Sequence, residues 1–208
     1  MQKIKVLFLT NNENTLDLYE WLSGFEDVEC FLFREKLSID YLTEINTNLI
    51  VSFGYRYIIK SDVIELYKGK IINLHISYLP WNKGADPNIW SFLENTPKGV
   101  TIHLIDEGID TGDILYQKEI IFDEETETLS SSYEKLQREI KLLFKQKWND
   151  IKSFRFIAQK QIERGTFHYS NDFKKIKFIL GEKGWNISIV ELKKNYKKIL
   201  FNNEKKDL

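Results

Sequence analysis

Four short runs of uninterrupted apolar residues near the start constrain the fold of this chain more than any other feature. These runs are Ile4–Thr10, Val28–Phe33, Leu49–Phe53 and Ile71–Leu74. The stretches between them have helical spacing, at Thr15–Leu22, Ser38–Glu44 and Asp62–Lys68. Strands without polar alternation are typical of parallel sheets that helices cover on both faces. With right-handed crossovers, the pattern predicts an α/β protein with a doubly wound, mostly parallel sheet.

The pattern changes after this first region. Pro87–Asn95 is predicted to be a helix capped by Asp86, because proline suits the first helical position. Two alternating strands and a long amphipathic helix follow, at Gly99–Asp106, Asp113–Phe122 and Ser131–Trp148. That helix is expected to close a main domain, residues 1–150. Residues 151–208 are predicted to form a small β-rich appendage with strands in TFHY, FKKIKFIL and ISIVEL, used for docking or dimerisation.

Composition excludes several classes of protein. The chain of 208 residues has 30 basic and 31 acidic side chains, and this balance argues against a protein whose task is to grip nucleic acid. The apolar stretches are too short for a signal peptide or a membrane span. Cys30 is the single cysteine, so an internal disulfide and a multi-cysteine metal site are excluded. We therefore expect a cytoplasmic protein that acts on small molecules.

Three polar residues suggest a reaction site. Asn73 and His75 end the fourth strand, two positions apart and so on one face, at the edge where open α/β sheets bind ligands. Asp110 lies in the glycine-flanked turn EGIDTGD. Imidazole can move a proton near neutral pH, an amide can stabilise an oxyanion, and a carboxylate can orient the histidine. On spacing alone all three could equally be structural, and His103 could join His75 and Asp110 in a metal site, although no closely spaced ligand pair supports one.

The stretch Ile72–Leu115 resembles the family of formyltransferases that use 10-formyltetrahydrofolate. The matching motifs, in order, are NLHISYLP, NKGADPNIW, GVTIH and DTGDI, with Ile76 where many members have proline. The resemblance implies a Rossmann-like formyltransferase fold without a metal. It implies that His75 takes a proton from an attacking amine, Asn73 holds the developing oxyanion and Asp110 supports the charged histidine.

The resemblance also implies where the formyl donor binds. Two segments are expected to contact the pterin, one after the third strand and one in the aspartate loop. Their residues are Phe53, Gly54, Tyr55, Arg56, Tyr57 and Ile58 in the first, and Leu104, Ile105, Asp106, Gly108 and Ile109 in the second. The contacts of the first segment are expected from its backbone.

The acceptor is the amine that receives the formyl group. The methionyl-tRNA enzymes carry an additional carboxy-terminal domain and a basic surface, whereas this chain is nearly neutral and is expected to lack that domain; TNNENT has none of the phosphate-binding glycines of the glycinamide ribonucleotide enzymes. The stretch SYLPWNKGADPNIW and the tail segment GTFHYSNDF most resemble the enzymes that formylate a nucleotide-linked 4-amino sugar. This resemblance implies dTDP-4-amino-4,6-dideoxyglucose, a precursor of surface polysaccharide, as the acceptor. A formyltetrahydrofolate hydrolase and a non-catalytic nucleotide-binding module remain alternatives. The resemblance further implies a homodimer, and the predicted acceptor-binding residues are Ser77, Tyr78, Trp81, Asn82, Lys83, Gly84, Ala85 and Asp86.

Overall fold

The computed structural model of the chain describes residues 3–162 and 164–204. Six strands form one mixed sheet in the order β2-β1-β3-β4-β6-β7, and two further strands, β5 and β8, form a small parallel pair. The strands are β1 Ile4–Leu9, β2 Val28–Phe33, β3 Leu49–Ser52, β4 Ile71–His75, β5 Lys83–Gly84, β6 Gly99–Leu104, β7 Ile114–Glu119 and β8 Phe167–His168. Neighbouring pairs among β1 to β4 are parallel, whereas β4 and β6 are antiparallel. The α/β class and the mostly parallel sheet are confirmed.

Seven α-helices within the described residues connect and follow these strands. They are α1 Leu16–Ser23, α2 Ile39–Ile45, α3 Ser61–Leu66, α4 Pro87–Leu93, α5 Leu129–Lys152, α6 Ser170–Ile176 and α7 Ile189–Glu204. Each helix predicted before residue 150 is present, within a few residues of its predicted bounds. As predicted, Ser38 caps α2, because its hydroxyl accepts the backbone N–H of Tyr41 at 3.3 Å. No helix in the described ranges is long and apolar enough to cross a membrane.

The chain divides into two compact units, each assembled from three segments. Unit 1 contains the described residues up to His75 together with Thr101–Gln117 and Ile140–Ile162. Unit 2 contains Ile76–Val100, Lys118–Glu139 and the described residues from 164 onward. The described residues after 150 are therefore divided between the two units, and each unit also contains segments from before residue 150. The assignment of 1–150 to catalysis and 151–208 to docking or dimerisation stays a prediction.

Unit 1 buries apolar side chains on both faces of its strands. Leu7 and Leu9 of β1 belong to a buried cluster that also contains Leu42 of α2 and Val63 of α3. The neighbouring position, Phe8, contacts Tyr19 of α1, with ring centroids 6.1 Å apart. Alternate β1 residues thus face helices on opposite sides, which explains why the strand has no polar alternation.

Unit 2 has its own buried cluster, to which α4, α6 and α7 contribute. Two segments predicted as strands are helical here: FKKIKFIL runs through α6 into a 3-10 helix at Lys177–Asn186, and ISIVEL enters α7. The β-rich description of the appendage was therefore wrong beyond the strand in TFHY, which is β8. Phe173 and Ile176 are three residues apart, and Ile189, Leu192 and Tyr196 follow the same helical spacing toward this cluster.

The start of α4 differs from its prediction in one respect. Pro87 occupies the first helical position, as expected, but the Asp86 side chain makes no capping hydrogen bond. Asp86 has a left-handed backbone with φ 54°, whereas capping residues usually have extended backbone. Burial raises the pKa of the Asp86 carboxyl above its ordinary value.

Candidate active site

Asn73 and His75 are brought to the site by the end of β4. Asn73 pairs with His103, and His75 pairs with Thr101, across the antiparallel ladder with β6. This ladder places polar side chains from two strands beside each other at one position in the sheet. Three of these residues, His75, Thr101 and His103, are buried.

Asp110 joins them from the loop between β6 and β7. Its Oδ1 accepts a hydrogen bond from Asn73 Nδ2 at 3.2 Å, and its Oδ2 lies 3.7 Å from His75 Nδ1. The side chains of His75 and Asp110 are only 8% and 12% exposed. The three residues predicted to act together are therefore gathered in unit 1, and His75 and Asp110 have little surrounding solvent.

His103 is a fourth member of the cluster, although the sequence had suggested it only as a ligand in a metal site that no ligand spacing supports. Its Nε2 lies 3.4 Å from Asp110 Oδ1, and its Nδ1 lies 2.7 Å from the Leu104 carbonyl oxygen. A carbonyl oxygen can only accept, so Nδ1 carries a proton and donates it. In the neutral ring Nε2 is then an acceptor, and Asn73 Nδ2 donates to it at 3.2 Å. His103 and Asp110 together fix the orientation of the Asn73 amide.

The shape of the Asp110 loop depends on one glycine. A Cβ at Gly112 would lie 1.8 Å from the Leu104 carbonyl oxygen, so no side chain fits there. The Asp106 carboxylate stabilises the loop before Gly112. It accepts hydrogen bonds from Gly108 N at 3.2 Å and from Thr111 Oγ1 at 2.6 Å. Of the predicted donor-binding residues here, Leu104 and Ile105 are half-buried and Ile109 is 44% exposed.

The predicted donor-binding segment after β3 is held by backbone contacts. Asn11 joins this segment to the end of β1: its N–H donates to the Gly54 carbonyl at 3.1 Å, and its Oδ1 accepts from Arg56 N at 3.1 Å. Tyr55 is half-buried, and its hydroxyl donates to the Glu35 carbonyl at 2.6 Å. Burial raises the pKa of the Tyr55 hydroxyl.

Other side chains of this segment differ in exposure. Phe53 is buried, whereas Ile58 is 77% exposed. Tyr57 is half-buried, and the Arg56 guanidinium lies over its ring, 4.7 Å from the ring centroid. The segment thus offers backbone groups and one exposed apolar side chain, and its contacts with the formyl donor stay a prediction.

The predicted acceptor-binding residues lie in unit 2, where the first of them form a tight turn. Ser77 Oγ donates to the Trp81 carbonyl at 2.5 Å, and Trp81 N donates to the Tyr78 carbonyl at 3.1 Å. Asn82 is buried, with φ 54°, and its backbone N–H donates to Thr166 Oγ1 at 2.8 Å.

The following residues, β5 and its flank, are held by the tail. Lys83 is buried, and its ammonium group donates to the Arg164 carbonyl at 3.2 Å. A Cβ at Gly84 would lie 2.3 Å from the His168 carbonyl oxygen, which in turn accepts from Ala85 N at 2.9 Å. The sequence predicted a strand in TFHY, which contains β8, but it did not predict β5 or the pairing of the two strands. A strand of two residues carries no periodic signal.

Metal binding finds no support in this geometry. Within residues 3–162 and 164–204, no group of three or more histidine, cysteine, aspartate or glutamate residues is arranged to hold a metal ion. The cluster in unit 1 instead combines a proton acceptor, a fixed amide donor and a carboxylate. Such a set can support attack by an amine on a carbonyl carbon, because that reaction generates an oxyanion and releases a proton.

Comparisons with known proteins agree with this chemistry. The family model described as formyl transferase matches residues 29–146, more than half of the chain. The chain is 42% identical to the formyltransferase PseJ from Anoxybacillus kamchatkensis, whose crystal structure contains UDP-4,6-dideoxy-4-formamido-L-AltNAc and tetrahydrofolate. That match covers 90% of this chain and 97% of the other, with a TM-score of 0.83.

Other relatives match at lower identity or over a smaller part of the chain. The 4-N formyltransferase from Francisella tularensis has a TM-score of 0.72 at 24% identity, over 84% of this chain and 79% of that one, and this likeness supports the fold alone. Methionyl-tRNA formyltransferase from Clostridioides difficile (strain 630) is 37% identical over 44% of this chain. The chain spans 30% of that protein's length, and 54% of phosphoribosylglycinamide formyltransferase from Bacillus subtilis (strain 168), which is 38% identical over 50% of this chain.

Proposed function

Because the chain belongs to the formyl transferase family, we propose that it transfers a formyl group from 10-formyltetrahydrofolate to the amino group of a nucleotide-linked aminodeoxysugar. The observation that carries the proposal is the near end-to-end match to a formyltransferase that was crystallised with both a formylated UDP-sugar and tetrahydrofolate. In sequence, methionyl-tRNA enzymes are matched over 28% to 37% of their length, so they support the reaction type more than the acceptor.

For the acceptor itself, the match to PseJ favours a UDP-linked 4-amino-4,6-dideoxy sugar with an N-acetyl group, the unformylated counterpart of the sugar in that structure. The dTDP-4-amino-4,6-dideoxyglucose predicted from the sequence is the second candidate. The two differ in the base, in the 2′-hydroxyl of the nucleoside, at sugar carbon 2 and in the configuration of the hexose, so the discrimination must come from groups that recognise one or more of these features. Within the predicted acceptor-binding set, Lys83 is proposed to contact the diphosphate, which needs a cation, and Tyr78 or Trp81 the base, which needs an aromatic face.

The proposed chemistry assigns one task to each residue of the cluster. His75 accepts the proton that the attacking amine must lose, and N10 of tetrahydrofolate gains a proton as its bond to the formyl carbon breaks. Asn73 Nδ2 donates to the formyl oxygen as negative charge develops there, which replaces one of its present acceptors, His103 Nε2 or Asp110 Oδ1. Asp110 stabilises the imidazolium that results, since its Oδ2 lies 3.7 Å from the ring. His103 keeps the amide and the carboxylate in place.

A homodimer, a cytoplasmic location and a role in surface polysaccharide synthesis stay part of the proposal. The tail exposes several large apolar side chains that a second copy of the chain would cover. They are Phe178, Trp185, Val190, Leu200 and Phe201, exposed by 70%, 50%, 44%, 46% and 56%.

One assay tests the proposal against its alternatives. The protein is incubated with 10-formyltetrahydrofolate and, separately, UDP- and dTDP-linked 4-amino-4,6-dideoxy sugars, while absorbance follows the donor and mass spectrometry follows the acceptor. We expect a gain of one formyl group, with the highest kcat/KM for the UDP-linked acetamido sugar. Donor loss without acceptor formylation would favour the hydrolase, and nucleotide binding without turnover would favour the non-catalytic module.

A further inference from the structure

The Asp110 loop holds its functional carboxylate in an unusual backbone conformation. Asp110 has φ 54°, in the left-handed region that residues other than glycine rarely adopt, although aspartate and asparagine tolerate it. No helix or strand includes residues 105–113, so the carbonyl groups there depend on partners outside regular structure. A loop of this kind keeps a precise side-chain position only where other contacts hold its backbone.

Gln161 provides such contacts from a distant part of the chain. Its Nε2 donates to the Asp110 carbonyl at 2.9 Å and to the Gly112 carbonyl at 2.9 Å. A side-chain amide nitrogen has two N–H groups, so both are used on this loop. Rotating the amide would place its oxygen against two carbonyl oxygens, so the orientation is determined.

The other end of the same amide is less well satisfied. Gln161 Oε1 is buried and has no hydrogen-bond partner among the residues that the structure describes. A buried acceptor without a partner is unfavourable, and an apolar side chain of the same shape would avoid it. The two bonds to the loop are therefore the contribution that distinguishes glutamine at this position.

The segment that carries Gln161 is itself fixed to the sheet. Ile114, the first residue of β7, and Gln159 exchange both backbone hydrogen bonds, at 2.8 Å and 2.9 Å. Gln161 thus extends from a bridge located just past the loop that it contacts. The position of the Asp110 backbone is tied in this way to the register of β7.

We propose that Gln161 is a positioning residue, which sets the Asp110 carboxylate against Asn73 and His75 by bridging the carbonyl groups of Asp110 and Gly112. This inference rests on the proposed function, because it assigns the carboxylate a part in formyl transfer. Gln161 touches neither of the predicted ligands in this role and acts through Asp110.

The test compares Gln161→Leu with Gln161→Asn and with Gln159→Leu. Leucine keeps the bulk and loses both donors, asparagine keeps the amide with a shorter reach, and the control changes an exposed side chain on the same segment. We expect Gln161→Leu to lower kcat about 10- to 100-fold, as small displacements of catalytic groups do. The acceptor KM should change less than about twofold, Gln161→Asn should recover part of the rate, and Gln159→Leu should match the wild type.

A second measurement separates positioning from a general loss of structure. In an Asp110→Asn background, Gln161→Leu should lower the single-turnover rate by less than about twofold, because the carboxylate that it positions is already absent. Equal losses in both backgrounds would overturn the positioning role, as would an unchanged kcat in the single variant.

Hydrogen exchange of the loop tests the contact without any substrate. Peptides covering residues 104–113 should exchange faster in Gln161→Leu than in Gln159→Leu, and equal exchange would overturn the bridge. A wild-type protein that formylates no acceptor would count against the proposed function, and the exchange result would still decide whether Gln161 holds the loop.

Discussion

Replacing Asp110 with asparagine tests the cluster most directly. Asparagine keeps the shape of the side chain and tolerates the left-handed backbone, so the change removes one charge without adding strain. An asparagine oxygen can still accept the hydrogen bond from Asn73. The main loss is the attraction between the carboxylate and the His75 imidazolium that formyl transfer is proposed to create.

The separation of the two groups sets the size of this loss. Unit charges 3.7 Å apart, as for Asp110 Oδ2 and His75 Nδ1, attract by about 4 kcal/mol at an effective dielectric constant of about 20. Both side chains are at most 12% exposed, so salt and solvent screen the pair little. Since 1.36 kcal/mol corresponds to about tenfold in rate, we expect kcat to fall about 10³-fold.

Single-turnover formyl transfer, followed by the mass of the acceptor, measures this loss without interference from product release. Glu107→Gln is the matched control, because it removes a negative charge from an exposed side chain in the same loop. The control should keep nearly the wild-type rate. If Asp110→Asn folds normally and loses less than about tenfold, the carboxylate does not stabilise the charged histidine, and the proposed division of tasks is refuted.

Three further changes address other parts of the account. His75→Asn should lower formyl transfer by at least about 10²-fold through loss of the proton acceptor, while calorimetry should show unchanged affinity for the nucleotide sugar; an active variant would exclude His75 as the base. Lys83→Ala should raise the acceptor KM by removing a cation for the diphosphate; a lowered melting temperature with unchanged KM would instead leave Lys83 as support for the Arg164 carbonyl. Burial raises the pKa of the Cys30 thiol from 9.0 to about 12. The thiol of the unfolded chain loses its proton near pH 9, whereas the thiol of the folded protein keeps it until about pH 12. The free energy of unfolding is therefore unaffected by Cys30 below about pH 9 and falls as the pH rises above that value. Urea titrations at pH 8 and pH 10 should show a smaller decline in Cys30→Ala, and equal declines would contradict this explanation.

Much of the fold could be predicted from local patterns. Unbroken apolar runs mark the strands as far as His75, and helical spacing marks the helices as far as α5. The structure contains all of these elements. The tail was harder, since FKKIKFIL contains apolar residues that fit an alternating pattern as well as a helical one. The buried cluster decided between them, because Phe173, Ile179 and Leu180 reach it from helical segments.

The site was predictable where one strand or one turn carries the signal. Asn73 and His75 share a face of β4, and the glycines beside Asp110 mark a loop. His103 and Gln161 were missed for a different reason. The role of His103 depends on the antiparallel register that pairs it with Asn73, and the contact of Gln161 depends on a return of the chain about fifty residues after the loop. Neither relation leaves a periodic trace in the sequence.

The pairing of His75 with Thr101 has a consequence for how such a protein can diversify. The segment Ile76–Val100 leaves β4 after His75 and returns at Thr101, the residue that pairs with His75. The entropy of closing such a segment grows slowly with its length, so insertions in its exposed turns cost little as long as His75 and Thr101 stay paired and α4 keeps its apolar side chains in the buried cluster of unit 2. Evolution or an engineer can therefore vary these turns, in the segment that holds every residue predicted to recognise the acceptor, and leave the strands that carry the chemistry untouched.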